Sequence, residues 1–183
     1  MDDGITVELV PAWTTWPLRQ EVLRPGRAVR DCLYPGEDDP RAAHGAALRR
    51  SDEPGGDLTV VAVGVVMPEA PSWPEAPSWP GAPAGDGDRD DGWRIRGMAT
   101  RADSRGRGLG SQVLDLLIGH VGSQGGGLLW CNARTPALAL YERAGFHPRG
   151  EVFELPEIGP HLVMWRIVEP RSIVPAPGGA PSP

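Results

Sequence analysis

Arg105-Gly106-Arg107-Gly108-Leu109-Gly110 is the stretch on which the reading of this chain turns. It follows an extended segment, Trp93 to Thr100, and opens a segment in which Leu109, Val113, Leu114, Leu116, Leu117 and Val121 recur with helical spacing. Glycines at a strand-to-helix turn let the backbone approach a ligand closely. The first N–H groups of the helix have no intrahelical acceptor, and its dipole places partial positive charge at the same end. Arg105 and Arg107 add full charges, so the turn suits phosphate.

The identity of the phosphate ligand is narrowed by spacing. A Walker A loop needs lysine after its last glycine; here Ser111 follows, and all 18 basic residues are arginine. A dinucleotide fingerprint needs G-x-G-x-x-G, whereas these glycines fall as G-x-G-x-G, and the next strand ends in Asn132 rather than an acid. Taken alone, the hexapeptide fits an ordinary Gly-rich loop with solvated arginines equally well.

Downstream the pattern stays regular. Gly125-Gly126-Gly127 closes the helix, and Leu128 to Asn132 reads as a buried strand. Pro136 to Ala144 is a short helix stopped by Gly145, and Glu151 to Leu155 and His161 to Val168 are two last strands joined by a Pro156…Gly159-Pro160 turn. Upstream, Ile5 to Val10 alternates as a first strand. Trp16 to Leu23 is a short helix capped by Thr14 or Thr15, with Pro17 in its first turn. Arg24 to Arg41 reads as loops around at most one helical turn. His44 to Arg50 and Leu58 to Val66 read as further strands, and Gly97 marks a bulge in the strand that follows. The class is α/β.

Two segments break this order. Pro68-Glu69-Ala70-Pro71-Ser72-Trp73 is repeated as Pro74-Glu75-Ala76-Pro77-Ser78-Trp79 and followed by Gly/Asp-rich sequence. Paired prolines lack donors for helix or ladder, so 67–92 reads as a disordered insertion in a strand connection, with a docking role for its tryptophans as an alternative. The Pro/Gly-rich tail 169–183 is also expected to be disordered. The domain proper is 1–168.

Arg105-x-x-Gly108-x-Gly110 resembles the R/Q-x-x-G-x-G/A signature of the GNAT superfamily of N-acetyltransferases. Asn132-Ala133-Arg134, Ala137, Leu140-Tyr141-Glu142-Arg143 and Ala144-Gly145-Phe146 are similar to its second signature, N-x-x-A-x-x-x-Y-E-x-x-G-F. The runs Leu18-Arg19…Val22-Leu23-Arg24-Pro25-Gly26, Trp130-Cys131-Asn132-Ala133-Arg134 and Ile158-Gly159-Pro160-His161 look like an uncharacterised bacterial subgroup. The resemblance implies the GNAT fold: a mixed, mostly antiparallel central sheet with a splayed strand pair and flanking helices. It also implies acetyl-CoA as cosubstrate, with direct attack of an amine on the thioester through a tetrahedral intermediate.

Carried over residue by residue, the resemblance places the pyrophosphate at Arg105, Gly106, Arg107, Gly108, Leu109 and Gly110. The pantetheine arm would lie on the backbone of Met98, Ala99 and Thr100 and beside Asn132, in a wedge between Arg96–Thr100 and Leu128–Asn132. Tyr141 takes the role of general acid toward the leaving thiol. No glutamate occurs in Trp93–Thr100, where the family often places a base, so His161 is the first candidate base and Asp103 a weaker one. A surface turn histidine is the plainer reading of His161, and a buried structural thiol that of Cys131. A non-catalytic acyl-CoA-binding module is the rival from another class.

Composition sets further bounds. Two cysteines form no framework and no metal-ligand spacing, so no metal is expected and a reduced, cytoplasmic setting is the simpler one. A net charge of -6 argues against a general nucleic-acid partner, and no apolar run suits a membrane. The acceptor would be a small-molecule, peptide or protein amine, and the resemblance also admits a homodimer.

Overall fold

The strand that carries Gly97 and the strand that carries Asn132 run side by side for three residues and then part. This divergence organises the computed structural model, which describes residues 4–51, 57–71, 73 and 92–171. The strands are β1 (Ile5–Val10), β2 (Ala43–Arg50), β3 (Leu58–Pro68), β4 (Gly92–Thr100), β5 (Gly127–Arg134), β6 (His147–Leu155) and β7 (Gly159–Val168). Among the described residues three α-helices intervene: α1 (Ala12–Leu23), α2 (Leu109–Ser123) and α3 (Leu138–Arg143). The strands form one sheet in the order β1-β2-β3-β4-β5-β7-β6, antiparallel everywhere except between β4 and β5. The mixed, mostly antiparallel sheet with a splayed pair agrees with the expectation from sequence.

The parallel ladder joins Gly92 to Leu128, Trp93 to Leu129 and Arg94 to Trp130, and goes no further. The wedge therefore opens between Ile95 and Cys131, beyond the ladder, rather than along the whole of Leu128–Asn132 as expected. The bulge at Gly97 helps to divert β4. Val63 pairs with Ala99 but Val65 pairs with Arg96, so Gly64 alone faces both Gly97 and Met98. Gly97 sits at φ +63°, and a Cβ there would lie 2.8 Å from Arg19 Cδ and 3.0 Å from Tyr34 Cε2. Only glycine meets both demands.

Each face of the sheet has its own packing. Val113, Leu114, Leu117 and Val121 of α2 are fully buried against Val61, Ile95, Leu129 and Cys131; side chains of this size stabilise by about 2 kcal/mol each when buried. On the opposite face, Leu18 of α1 packs on Ala46, Leu48, Val63 and Ala99. Helix α1 starts four residues before its expected first residue, with Pro11 as its N-cap. Thr15 does not cap it; its hydroxyl donates to the Ala12 carbonyl at 2.8 Å. Pro17 thus falls inside the helix, where it has no N–H to return to Trp13.

The ends of the expected insertion have defined positions. Met67 and Pro68 extend β3, Gly92 begins β4, and the Glu69 N–H donates to the Gly92 carbonyl at 2.9 Å. Residues 72 and 74–91 lie outside the described residues. In the expected tail, Arg171 N–H donates to Gly122 O at 2.8 Å; residues 172–183 lie outside the description. No helix among the described residues is long and apolar enough to cross a membrane.

Candidate active site

The glycine-rich turn meets the start of α2 without a side-chain cap. Gly108 is the N-cap residue, in the left-handed region at φ +76°, and Gly106 adopts φ +75°. A Cβ at either glycine would meet nothing within 4 Å, so the space above the turn is open. Arg105 folds back, its Nε donating to the Thr100 carbonyl at 3.2 Å. The result is a cradle of main-chain donors at a helix start, beside the point where β4 leaves β5. These residues fit a diphosphate.

A cleft of about 670 Å3 runs from this cradle into the wedge. Among the residues picked out from sequence, Met98, Ala99, Thr100, Arg105, Gly106, Gly110, Asn132, Tyr141 and His161 all line it. Arg107, Gly108 and Leu109 do not. Leu109 is 4% exposed and anchors the turn in the core, so it offers only its backbone.

Tyr141 projects from α3 into the floor of the wedge, 5% exposed, with its ring edge-on to Phe146 at 5.4 Å. Its hydroxyl and the Cys131 thiol each bear on the other's ionisation. Burial pushes the phenol well above its ordinary value, and Cys131 adds to the shift. Burial likewise pushes the Cys131 thiol up to about 12, against the hydrogen bond from Tyr141 and the charge of Arg94. Cys131 is a protonated, buried thiol and no nucleophile.

His161 is not a surface turn residue. It is 4% exposed, directly opposite Arg134 in the β5–β7 ladder, with its ring tilted against Phe153. Its Nδ1 lies 2.7 Å from the Gly159 carbonyl, which can only accept a hydrogen bond. Nδ1 is therefore the donor in this contact. Asp103 is exposed, tied to Arg101 at 3.1 Å and Ser104 at 2.9 Å, and does not line the cleft.

Sequence reasoning missed the far wall. Tyr34, just after a 3-10 turn at Val29–Cys32, lines the cleft beside Gly97, flanked by the guanidinium groups of Arg19 at 4.7 Å and Arg96 at 5.3 Å. Burial raises its phenol, against the pull of those two charges. Tyr34 and Tyr141 both line the cleft. The available signal was rarity: these are the only two tyrosines in the chain. Glu69, from the first Pro/Trp repeat, also reaches the site and pairs with Arg94 and with Arg96 at 3.0 Å. Burial works to raise its carboxyl, but the hydrogen bonds and charges of Arg96 and Arg94 bring it below the usual carboxylate value. Arg94 in turn stacks on Trp130 at 4.1 Å, and Trp73 meets the same ring edge-on at 5.4 Å.

Comparison with known proteins agrees with this geometry. A family model described as the acetyltransferase (GNAT) family matches residues 39–146, more than half of the chain. An uncharacterized N-acetyltransferase of Bacillus subtilis (strain 168), YitI, is 25% identical over 162 residues, spanning 88% of this chain and 95% of that protein. Among solved structures, Arabidopsis thaliana NAA60 in complex with acetyl-CoA superposes with a TM-score of 0.67 at 11% identity, covering 90% of this chain and 98% of that one. A GCN5-related N-acetyltransferase from Kribbella flavida gives 0.62 at 17% identity, with coverages of 91% and 99%.

Proposed function

The chain belongs to the acetyltransferase (GNAT) family and is an acyltransferase, and from that premise we propose that it transfers the acetyl group of acetyl-CoA to an amine. The observation that carries this reading is the uncapped glycine turn opening onto the gap where the β4–β5 ladder stops. Main-chain N–H groups of Gly106 to Gly110, with Arg105 and Arg107, would hold the diphosphate. Beyond Arg94 the edge of β4 that faces β5 has no ladder partner, so the backbone of Met98, Ala99 and Thr100 can pair with the pantetheine amides as an added strand. Asn132, half-buried on the facing strand, lies within reach from the other side.

The chemistry is direct attack. The amine nitrogen bonds to the thioester carbonyl carbon, and an N–H near Met98 stabilises the tetrahedral oxyanion, a contribution of about 3 kcal/mol for one such donor. The C–S bond then breaks, and Tyr141, which burial keeps protonated, gives its proton to the departing sulfur. His161, with Nδ1 fixed on the Gly159 carbonyl, offers Nε2 to take the proton that the acceptor ammonium must lose before the neutral amine attacks. Tyr34 stands on the acceptor side of the Gly97 bulge. The reading places the reaction in the cytoplasm, in keeping with the unpaired thiols of Cys32 and Cys131.

The test is to incubate the purified chain with acetyl-CoA and a broad panel of small-molecule, peptide and protein amines, following free thiol and the mass gain of an acetyl group. Stoichiometric thiol and acetylated amine are expected. Tight acetyl-CoA binding with no product on any amine would overturn the reading.

A further inference from the structure

Strand alternation sorts the charges of the cleft between the two faces of the sheet. Trp93 and Ile95 of β4, and Cys131 and Ala133 of β5, belong to the core beneath α2. Arg94, Arg96, Asn132 and Arg134 alternate with them and so present to the other face, the one on which α1 packs. Arg24, the C-cap of α1, lines the same space. The arginines at the phosphate cradle, Arg105 and Arg107, stand instead at the start of α2. The coenzyme's diphosphate is matched there and does not neutralise the α1-face arginines.

On that face the lining holds the guanidinium groups of Arg24, Arg94, Arg96 and Arg134, and no carboxylate among the described residues. One carboxylate, Glu69, is shared by Arg94 and Arg96. Even so, Nε of Arg94 is buried without a partner. Arg24 and Arg134 are half-buried, and neither has a side-chain hydrogen bond or ion pair among the described residues. Four guanidinium groups against one carboxylate leave three positive charges around the space an acceptor must enter. A polycationic amine would be repelled from it; an oxyanion would gain charge-assisted, forked hydrogen bonds.

We propose that the acceptor amine is borne on an oxyanion-bearing molecule, carboxylate or phosphate, whose anionic group is held by Arg24 and Arg134. This rests on the acetyltransfer reading for the amine's fate, but its binding chemistry is measured separately. The acceptor nitrogen then lies between that anchor and the wedge, beside Tyr34 and His161, which line the same space.

The experiment uses the full chain saturated with coenzyme A and matched probes: glycine against glycine amide, phosphoethanolamine against ethanolamine, and spermidine. Calorimetry reads binding, and thiol release from acetyl-CoA is followed in parallel. At least one oxyanion probe should bind tenfold or more tightly than its matched partner, more weakly as salt rises, with spermidine weakest. The glycine and phosphoethanolamine arms tell carboxylate from phosphate. Arg24→Gln or Arg134→Gln should weaken that probe about tenfold, the order lost with one charge-assisted hydrogen bond, with melting temperature and coenzyme A affinity as controls. Equal or tighter binding of the neutral and cationic probes, binding of none, or no effect of either variant overturns the proposal. Oxyanion binding without thiol release sinks the acetyltransfer reading and leaves this one; thiol release to spermidine does the reverse.

Discussion

The Tyr141 hydroxyl and the Cys131 thiol lie close enough to bear on each other's ionisation, with 5% and 1% of their residues' surfaces exposed. Neither ionises near neutrality, because burial disfavours both charged forms. On the proposed mechanism, the Tyr141 proton is the one given to the departing sulfur.

Tyr141→Phe removes the donor and keeps the ring, including its edge contact with Phe146. Turnover should fall by about two orders of magnitude, the ordinary contribution of a positioned general acid. Coenzyme affinity should stay within about twofold. Steady-state kinetics and calorimetry on the same preparation check both halves; an unchanged kcat removes Tyr141 from the mechanism.

Cys131 predicts an alkaline limit to stability. Below its ordinary value of 9.0 the thiol is protonated in folded and unfolded chains alike. Between 9.0 and about 12 the unfolded chain has released a proton that the native state retains, so the native state binds more protons and stability falls as pH rises. Melting temperatures from pH 8 to 11 should decline more steeply for the native chain than for Cys131→Ala. Parallel slopes would show that Cys131 titrates no differently in the fold.

The periodic segments were legible from sequence for a physical reason. α2 buries one stripe, so its apolar residues repeat with the helix, and the cradle is a local motif of adjacent residues. The acceptor wall was not legible, because it depends on contacts between distant segments. Tyr34 reaches Gly97 only because β4 bulges, and Glu69 reaches Arg96 only because β3 and β4 stay paired as far as Pro68 and Trp93. His161 read as the first residue of the last strand, but Pro156…Gly159-Pro160 before it made a surface turn histidine the plainer alternative; it pairs with Arg134 and is 4% exposed. The start of α1 was misplaced because Thr14 and Thr15 carry cap chemistry, whereas the helix begins at Ala12 with no side-chain cap.

Gly108 separates binding from folding. An alanine Cβ there would meet nothing within 4 Å, so Gly108→Ala costs only the left-handed backbone, about 1–2 kcal/mol. The same methyl would occupy the space a diphosphate needs, so coenzyme A affinity should fall at least tenfold while the chain still melts cooperatively. Gly108→Trp should abolish binding. Calorimetry against coenzyme A beside a thermal melt decides it, and retained affinity in both variants would refute the cradle.

His161→Ala should lower kcat while leaving coenzyme affinity intact. If Nε2 takes the amine's proton, imidazole in solution should restore part of the rate by diffusing into the space vacated. A residue that only supports the β6–β7 turn would show no such rescue, and a titration of rate against imidazole distinguishes the two.

Glu37 connects stability to the acceptor wall. Its carboxylate accepts from Arg19 at 2.8 Å and from the Trp16 indole at 3.0 Å, while Arg19 also donates to the Cys32 carbonyl at 2.6 Å. Arg19 has no exposed surface, and its guanidinium lies 4.7 Å from the Tyr34 ring. Glu37→Gln keeps the shape but offers one acceptor oxygen where Trp16 and Arg19 each use their own, and it leaves Arg19 as an uncompensated buried charge, a loss of about 3–5 kcal/mol. Denaturant titration should show that drop in midpoint without a change in slope. Because Tyr34 leans on Arg19, the surviving folded fraction should have a raised KM for the acceptor and an unaltered affinity for coenzyme A. A variant as stable as the native chain, or one that loses coenzyme and acceptor affinity together, would mean that the Arg19–Glu37 pair does not hold the acceptor wall in place.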